Sequence, residues 1–453
     1  MFKALDNIER PYPITFFNTG TMYDLLSGSV TQGVNGEYLI KGGIANAPIG
    51  IGGRTNTYKS TFANDLMIRA LKNYPGTMLI INETEGSYDE QRILDLSGTK
   101  ELPGLKFISG CIYGMESIFE ILKDIGNEKQ KRRKAFTAVT PFEDVVTGEA
   151  AKCWIPTFGN IDSFSMMSSE EEDSMIEKGG LRDKKNKTVF ILDGNKKTIF
   201  IRNMRKRCER HGIALMLLSH IGENSSISDT EKYPTKQMPS MKPKDKNKHC
   251  GPLYNFLTKN FCQVSSATLQ SADKTAMYKL GSTPPKDLHT LSLIVHRGKN
   301  GGSDISFPFV VSQTYGLLNT TTHFNYLREY GNHFGLTSSQ GSNCTTPSNS
   351  VFLPDIKLFR HTIRKVGNEN YQVARALELS ARYYFIKTYW DISKIGLNFS
   401  QSMEVIVEKI KKSKTLTMDE VLNSESIWRY DRTDKHRKYL SIFDIIKAIE
   451  GEK

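Results

Sequence analysis

Apolar runs and amphipathic stretches alternate along the first half of the chain. Continuous apolar runs predict buried parallel strands at 47–52, 76–81, 107–109 and 213–218. Apolar residues at helical spacing predict helices at 61–72, 115–125 and 195–211. Residues 154–161 predict a weaker strand, because Pro156 interrupts the run. This alternation of strand and helix predicts a doubly wound α/β sheet.

Changes in composition divide the chain into segments. The predicted segments are a short lead at 1–17, a core at 18–335 with a charged insertion at 126–150, a linker at 336–351 and a mainly helical C-terminal domain at 352–453. Two stretches of the core, 165–187 and 222–250, carry too few aliphatic residues to pack a core of their own. Such stretches are typical of binding loops, with plain disorder as an equal alternative.

Residues 53–60 read GRTNTYKS and lie between a predicted strand and a predicted helix. A loop of this kind turns successive backbone N–H groups toward a triphosphate, while Lys59 reaches the β and γ phosphates and Ser60 binds Mg²⁺. Tyr58 stands where the usual pattern G-x-x-x-x-G-K-[ST] has its second glycine. Because Tyr58 has a Cβ, we expect the loop backbone to stay within the ordinary φ/ψ regions.

Carboxylates follow the strands that would neighbour this loop. Glu85 follows the strand at 76–81, at the edge where open α/β sheets bind ligands, and it is a candidate for activating a water molecule. A second carboxylate should hold Mg²⁺ from the end of an apolar strand. Asp193 has the better local apolar pattern and Asp162 the better spacing, so both stay candidates. His220 ends the strand at 213–218 and leads into the lysine-rich segment 222–250.

The amino-acid composition indicates which classes of binding partner to expect. The chain has 453 residues, of which 38% are hydrophobic and 24% charged, as in a globular protein. Its net charge of +12 favours a polyanion, nucleic acid before an anionic membrane, with a merely solvated basic surface as the alternative. Without an 18-residue apolar run or a secretory N-terminus, we expect a soluble cytoplasmic protein with no membrane partner. Six cysteines without a C-x-x-C pair favour reduced thiols over zinc ligands.

Seven short motifs resemble, in order and spacing, those of RecA-type recombinases. They are MYDLLSG at 22–28, YKS at 58–60, ETE at 83–85, IDS at 161–163, SH at 219–220, GPLY at 251–254 and YGLL at 315–318. The chain is most similar to the phage UvsX branch, whose phosphate loop also carries an aromatic residue before the lysine. The resemblance covers about residues 18 to 330 and implies a RecA-like P-loop ATPase core, with a mostly parallel twisted sheet flanked by helices.

The resemblance implies ATP and Mg²⁺ as cofactors. The implied nucleotide-binding residues are Gly53, Arg54, Thr55, Asn56, Thr57, Tyr58, Lys59, Ser60, Thr61 and Arg92, the last standing where relatives stack an aromatic ring on adenine. Ser60 and Asp162 would hold Mg²⁺. The implied catalytic residues are Lys59, Glu85 as activator of water, His220 as relay of nucleotide state to DNA, and Arg297 and Lys299, which would reach the ATP of the neighbouring subunit.

The resemblance also implies the partners. These are single-stranded and double-stranded DNA, further copies of the chain in a helical filament, and mediator and single-strand-binding proteins, in the cytoplasm of a bacterial host if the chain is encoded by a phage. Segments 165–187 and 222–250 would be the two DNA-binding loops.

Taken together, these observations predict an ATP-dependent DNA recombinase. It would be a DNA-dependent ATPase that forms filaments on single-stranded DNA and promotes homologous pairing and strand exchange in recombination and repair. One alternative is a hexameric replicative DNA helicase with the same fold. The other is a non-catalytic DNA-coating scaffold with a degenerate ATP site, which Tyr58, Pro156 and the two candidate Mg²⁺ acids leave open.

Overall fold

The strands and helices follow one another in an alternating order over much of the chain. The computed structural model describes residues 12–109, 114–179, 189–223, 238, 240–242, 245–251, 253–269, 288–299, 303–329, 345–346, 352, 358–359, 369–430 and 436–451. The strands are β1 (Phe16–Phe17), β2 (Ser29–Gln32), β3 (Tyr38–Lys41), β4 (Ile44–Ala45), β5 (Pro48–Gly53), β6 (Met78–Glu83), β7 (Leu105–Ser109), β8 (Thr137–Glu143), β9 (Ala150–Trp154), β10 (Thr157–Asp162), β11 (Ile213–Glu223), β12 (Asp245–Asn247), β13 (Asn260–Leu269), β14 (Leu288–Gly298), β15 (Ile305–Ser312), β16 (Gly316–Leu317), β17 (Thr345–Thr346) and β18 (Leu358–Phe359). The helices are α1 (Tyr23–Leu26), α2 (Lys59–Asn73), α3 (Glu90–Ser97), α4 (Met115–Lys131), α5 (Glu170–Gly179), α6 (Val189–His211), α7 (Tyr254–Leu257), α8 (Asn319–Glu329), α9 (Tyr371–Tyr389), α10 (Met403–Lys412), α11 (Met418–Leu422) and α12 (Ile442–Gly451).

A ten-stranded sheet forms the centre of the protein. Its order is β16-β15-β14-β13-β5-β11-β10-β6-β7, and β12 pairs with the end of β11. The strands β13, β5, β11, β10, β6 and β7 are parallel, whereas β14, β15 and β16 extend the sheet in antiparallel pairs. Helices cover the sheet, so the predicted α/β class with a mostly parallel sheet flanked by helices is confirmed.

Both faces of the parallel strands are buried. In β11, Ala214, Met216 and Leu218 join one hydrophobic cluster, which includes α2 and the C-terminal helices. Ile213, Leu215 and Leu217 join the other cluster, which includes α4 and α6. Successive side chains of a strand point to opposite faces, so a strand covered on both sides is a continuous apolar run. This is why the runs at 47–52, 76–81 and 213–218 predicted strands correctly.

The segment around Pro156 is divided between two sheets. Strand β9 ends at Trp154 and pairs with β8 in a separate hairpin, whereas β10 begins at Thr157 and enters the central sheet between β6 and β11. Proline cannot donate a ladder hydrogen bond, so the chain changes sheets here. The single strand predicted at 154–161 is therefore wrong in its extent.

Two helices are longer than predicted. Helix α4 continues beyond Ile125 to Lys131, and α6 begins at Val189 rather than 195. The extra turns of α4 are held by the buried Lys129, whose Nζ donates to the carbonyl oxygens of Ile155 (2.8 Å), His211 (3.2 Å) and Gly212 (3.3 Å). The predicted insertion 126–150 thus contains the end of α4, a 3₁₀ turn at Arg133–Phe136, strand β8 and the first residue of β9.

The two predicted loop segments contain regular structure. Helix α5 occupies 170–179 of the segment 165–187, and its first turn is acidic, with Glu170, Glu171, Glu172 and Asp173. Strand β12 lies in the segment 222–250 and pairs antiparallel with β11. The alternative of plain disorder is wrong for those parts. Residues 1–11, 180–187, most of 224–244 and most of the predicted linker 336–351 lie outside the described residues, and the domain boundaries stay predictions.

The C-terminal helices share a core with the beginning of the chain. Trp428 is fully buried, and its Nε1 donates to the carbonyl oxygen of Phe16 at 3.0 Å. Its ring packs against Phe17, Tyr74 and Phe142, with centroid distances of 5.8, 5.1 and 5.1 Å. The helices from α9 onward therefore complete one face of the hydrophobic core around the central sheet.

A buried ion cluster joins α9 to the first helix. On α9, Glu378 contacts Arg375 (2.9 Å) and Arg382 (2.8 Å), and the guanidinium of Arg382 lies 3.8 Å from the carboxylate of Asp24. The two arginine side chains are at most 2% exposed. Burial alone would raise the pKa of Glu378, but the two arginines outweigh it and lower that pKa to about 2. The ionised carboxylate of Glu378 is thus the charge that compensates two buried cations.

We expect Glu378→Gln to destabilise the protein by about 3–5 kcal/mol, because it leaves buried guanidinium groups uncompensated. The measurement is the free energy of urea unfolding at pH 7. Since the folded-state pKa of Glu378 lies below that of the unfolded chain, its stabilisation is complete above about pH 4.5 and is lost as the pH falls toward 2. The difference between wild type and variant should shrink over that pH window.

The matched control is Glu408→Gln. Glu408 forms an exposed ion pair with Lys411 at 3.1 Å, with side chains 57% and 48% exposed. Surface pairs of this kind contribute about 0–1 kcal/mol. Equal effects of the two variants would contradict a structural role for the buried cluster.

Candidate nucleotide site at the carboxyl edge of the sheet

The candidate phosphate loop, residues 53–60, connects β5 to α2 in the middle of the parallel strands. Strand β5 ends at Gly53 and α2 begins at Lys59, so the loop precedes a helix N-terminus. Asn56 and Tyr58 both have left-handed backbones, with φ of 58° and 62°. Left-handed residues in such a loop turn neighbouring N–H groups toward one side, which makes an anion-binding concavity next to the positive end of the helix dipole.

Tyr58 corrects one expectation. Its backbone does not stay in the ordinary regions, since φ is 62° and ψ 20° at the residue that caps α2. This conformation costs a residue with a Cβ about 1–2 kcal/mol. The ring of Tyr58 packs 4.6 Å from that of His289, and its hydroxyl lies 3.0 Å from His289 Nδ1. These contacts offset the cost and attach the phosphate loop to the start of β14.

Ser60 and Asp162 meet beside the loop. Asp162 ends β10 opposite Glu83 of β6, and its carboxylate accepts a hydrogen bond from the Tyr88 hydroxyl at 3.1 Å. The side chain of Ser60 lies near enough to affect the pKa of Asp162. Burial raises the pKa of Asp162 to about 6, against the opposing effects of Ser60 and Lys59. A buried carboxylate next to a hydroxyl at a phosphate loop supplies the hard oxygen ligands that Mg²⁺ prefers. The donor set therefore fits the predicted Mg²⁺ ligands Ser60 and Asp162.

Asp193 lies elsewhere. The apolar run that precedes it belongs to α6, so the alternative of a strand ending at Asp193 is wrong. Its carboxylate forms a buried ion pair with Lys197 at 2.8 Å, one helical turn further on. Phe200, Ile201, Met204 and Cys208 continue the buried face of the same helix. Asp193 therefore packs α6 against the sheet rather than ending a strand at the loop.

Glu83 ends β6 and Glu85 follows it, and the two carboxylates have different partners. The carboxylate of Glu83 accepts hydrogen bonds from the backbone N–H groups of Glu85 (3.0 Å), Gly86 (2.7 Å) and Ser87 (3.1 Å). This turn directs Glu85 toward β11, where its Oε1 lies 2.7 Å from Nε2 of His220. The contact with His220 lowers the pKa of Glu85 to about 2 despite partial burial, and the charge of Lys59 acts in the same direction.

The strand register explains why these residues meet. In the parallel pairs, Asp162 lies opposite Glu83 and His220 opposite Gly53. The carboxyl ends of β5, β6, β10 and β11 thus lie side by side, and we call this rim the carboxyl edge. The structure brings the predicted residues 53–61, Glu85, Asp162 and His220 together there. The positioning role of Glu83 was missed, although its place directly before Thr84-Glu85 at a strand end was a usable signal.

Arg54 connects the phosphate loop to both ends of the lysine-rich segment. Its guanidinium lies 3.1 Å from the carboxylate of Glu223 and 3.4 Å from that of Asp245. Asp245 also accepts a hydrogen bond from Gln263 (3.0 Å), whose amide oxygen lies 2.6 Å from His296. A side chain of the loop is therefore held by the residues that flank 224–244.

Arg92 lies on α3, at the rim of the same edge. Its side chain donates to the backbone carbonyl of Gln313, in the turn between β15 and β16. Tyr315 of that turn is 55% exposed. Because Ser312 pairs with Leu288, the turn lies at the end of β14 that carries His289, on the side of the phosphate loop. Arg92 and Tyr315 are thus the planar side chains near the position predicted for the base.

Arg297 and Lys299 lie at the opposite rim, which we call the amino edge. Arg297 pairs with Phe261, which pairs with Gly50 in the first half of β5, and Lys299 follows the end of β14. The Arg297 guanidinium donates to the carbonyl oxygen of Asn255 (3.3 Å) and packs on Phe256 at 5.4 Å. Burial, with the neighbouring cations Arg205 and Arg297, lowers the pKa of Lys299 to about 8. Neither side chain contacts the phosphate loop of its own chain.

The described residues include four of the six cysteines. Cys153, Cys208, Cys250 and Cys262 are buried and unbridged. Within the described ranges, no group of three or more His, Cys, Asp or Glu side chains is arranged to hold a metal ion. The helices in those ranges also include none that is long and apolar enough to cross a bilayer.

No protein-family model matches the sequence, and no curated protein matches it either. Among solved structures, the chain is similar to the crystal structure of the RadB recombinase, with a TM-score of 0.36 and 10% sequence identity. The similarity covers 67% of this chain and 98% of that one.

Proposed function

We propose that this chain is an ATP-dependent DNA recombinase, nearest to the phage UvsX branch, which polymerises on single-stranded DNA and promotes homologous pairing and strand exchange. The observation that carries the proposal is the 2.7 Å contact between Glu85 and His220 at the phosphate loop. It joins a carboxylate suited to act on the γ-phosphate to the strand that enters the lysine-rich segment. A contact of this kind gives the nucleotide a direct effect on a DNA-binding element.

The site residues divide the work of ATP hydrolysis. Lys59 and the loop backbone would bind the phosphates, and Ser60 with Asp162 would hold Mg²⁺, which neutralises charge on the transferring phosphoryl group. Glu85 is ionised at neutral pH, and His220 lowers its pKa further, to about 2. A carboxylate with so low a pKa is a weak base, so Glu85 would mainly orient the attacking water. Arg92 and Tyr315 would stack on the base through their planar groups.

Binding of the triphosphate would change two contacts at the ends of the lysine-rich segment. Glu85 would turn from His220 toward water. Arg54 would exchange the carboxylates of Glu223 and Asp245 for phosphate oxygens, since a guanidinium binds either kind of anion. Both changes release the residues next to 224–244. Lys242, Lys246 and Lys248 are exposed in the described part of this segment. They would supply sequence-independent, salt-sensitive contacts to DNA phosphates.

Polymerisation would complete the site. Arg297 and Lys299 extend from the amino edge, so they would reach a nucleotide held at the carboxyl edge of the next subunit in a head-to-tail stack. Cations added there stabilise charge on the transferring phosphate. Further copies of the chain, both forms of DNA, mediator proteins and single-strand-binding proteins are the proposed partners, in the cytoplasm of a bacterial host.

We expect Lys59→Ala to lower DNA-stimulated ATP hydrolysis by about 10²–10³-fold, as the loss of one electrostatic contact to a transition state does. The measurement is steady-state phosphate release with and without single-stranded DNA. Lys100→Ala removes an exposed lysine away from the site and is the matched control. A wild-type protein that hydrolyses no ATP would favour the non-catalytic scaffold.

Electron micrographs with single-stranded DNA and a non-hydrolysable ATP analogue should contain filaments, whereas closed rings would favour the helicase.

Asp162→Asn should affect ATP hydrolysis, whereas Asp193→Asn should affect stability. Asp162→Asn removes the proposed Mg²⁺ ligand, so we expect hydrolysis to fall by about 10²-fold or more while the unfolding free energy changes little. Asp193→Asn leaves Lys197 buried and unpaired, so we expect a loss of about 3 kcal/mol in stability with hydrolysis retained at low temperature. Unchanged hydrolysis by Asp162→Asn would remove the Mg²⁺ assignment.

A mixing experiment tests whether Arg297 acts on the neighbouring subunit. Lys59→Ala and Arg297→Ala should each be inactive alone. In an equimolar mixture, about one quarter of head-to-tail interfaces join an intact phosphate loop to an intact Arg297, so about that fraction of wild-type activity should return. A mixture as inactive as its components would contradict action across the interface.

A further inference from the structure

A wide groove opens at the amino edge, away from the nucleotide site. It has a volume of about 1260 Å³ and lies between the ends of α4 and α6 and residues 12–14. Helix α6 has 23 residues and is therefore about 34 Å long. Its C-terminal turns, which line the groove, precede β11 at the end opposite His220 and Glu85. The groove is therefore separate from the phosphate loop and from the described residues of the lysine-rich segment.

The lining of the groove is basic. Lys206, Arg207 and Arg210 contribute from α6, and Arg133 from the turn after α4. The lining contains one carboxylate, Glu209, which pairs with Arg205 at 3.3 Å. In the part of the chain that the structure describes, no carboxylate forms an ion pair with Lys206, Arg207 or Arg210. The groove therefore holds a surplus of positive charge.

The positive charge of the groove affects the pKa of His211, which lies at its buried floor. His211 is 6% exposed and packs against Trp154, with ring centroids 6.5 Å apart. Burial lowers the pKa of His211 to about 4, and the charges of Arg210 and Arg207 act in the same direction. Cations in the last turn of a helix also offset its dipole, which accounts for Arg210. That explanation does not extend to Lys206, nor to the amide side chains of Asn127, Gln130 and Asn203 along the same walls.

The spacing of the cations suits an extended polyanion. Lys206 and Arg210 are four residues apart on α6, about 6 Å along its axis, so they address separate charges rather than a single small anion. The groove is many times larger than one phosphate group, and its amides can donate to further phosphate oxygens. The net charge of +12 over the whole chain is consistent with such a ligand.

We propose that this groove binds the phosphate backbone of nucleic acid, as a second contact site at the amino edge of the sheet. Phosphate contacts of this kind are independent of base sequence, so the groove would hold a strand or a duplex without selecting a site on it. The site does not depend on the triphosphate, because its residues lie at the other end of α6 from Lys59 and Glu85.

The test compares two full-length variants that lose the same charge. Lys206→Gln, Arg207→Gln and Arg210→Gln are combined in the first, and Lys409→Gln, Lys411→Gln and Lys412→Gln, on the exposed side of α10, in the second. Binding of fluorescently labelled single-stranded and duplex DNA is measured by anisotropy between 50 and 200 mM salt. We expect the groove variant to bind at least one form about ten-fold more weakly, with a salt slope smaller by about 2–3, the value for three lost phosphate contacts. The form that loses affinity identifies the ligand as strand or duplex.

Three results would overturn the proposal. The first is a groove variant that binds both DNA forms as the control variant does. The second is an equal loss in both variants, which would reflect net charge alone. The third is a loss of self-association without DNA, seen by sedimentation with an ATP analogue, which would make the groove a contact between subunits.

Folding and hydrolysis are followed in parallel. Thermal unfolding should give one cooperative transition in each variant, which establishes that both are folded at the temperature of the binding measurements. A wild-type protein that binds DNA through the groove yet hydrolyses no ATP would leave this inference standing while removing the proposed function.

Discussion

The parallel register of β5, β11, β10 and β6 is the constraint on which the candidate site depends. It places the carboxyl ends of four strands side by side, so that a lysine, a serine, an aspartate, a glutamate and a histidine from distant parts of the chain share one rim. The register is stable because both faces of these strands are buried, and a shift by one residue would exchange the two faces. Core packing and site geometry are therefore the same requirement.

Within that rim, two carboxylates have opposite electrostatic environments. Asp162 is buried, and its pKa is raised to about 6, whereas Glu85 is partly exposed beside His220, and its pKa is lowered to about 2. A cation would therefore gain most by binding at Asp162, where it replaces the solvation that burial removes. Glu85 keeps its charge at neutral pH without a cation. Such a separation of pKa values is typical of sites in which two acids have different roles.

Local patterns predicted the strands of the parallel sheet and the phosphate loop, because burial on both faces and a loop between strand and helix are visible in short stretches of sequence. They failed where a distant contact decides the outcome. The run before Asp193 is equally apolar as a strand or as a helix, and it belongs to α6, whose later residues Phe200, Ile201 and Met204 pack into the core. The left-handed Tyr58 depends on His289, 231 residues away. Likewise, the charged residues after Ile125 continue a helix because Lys129 reaches three carbonyl groups of other elements.

The two edges of the sheet carry different sets of charges. At the carboxyl edge, the carboxylates Glu85 and Asp162 lie beside the cations Arg54 and Lys59. The amino edge carries Arg297 and Lys299, and burial together with the neighbouring cations lowers the pKa of Lys299. If copies of the chain associate through unlike edges, as in the proposed function, the contact is heterologous, and each added copy leaves a free edge of each kind. Such growth would continue along an axis, and a polyanion that lies across several copies would neutralise the basic groove of each.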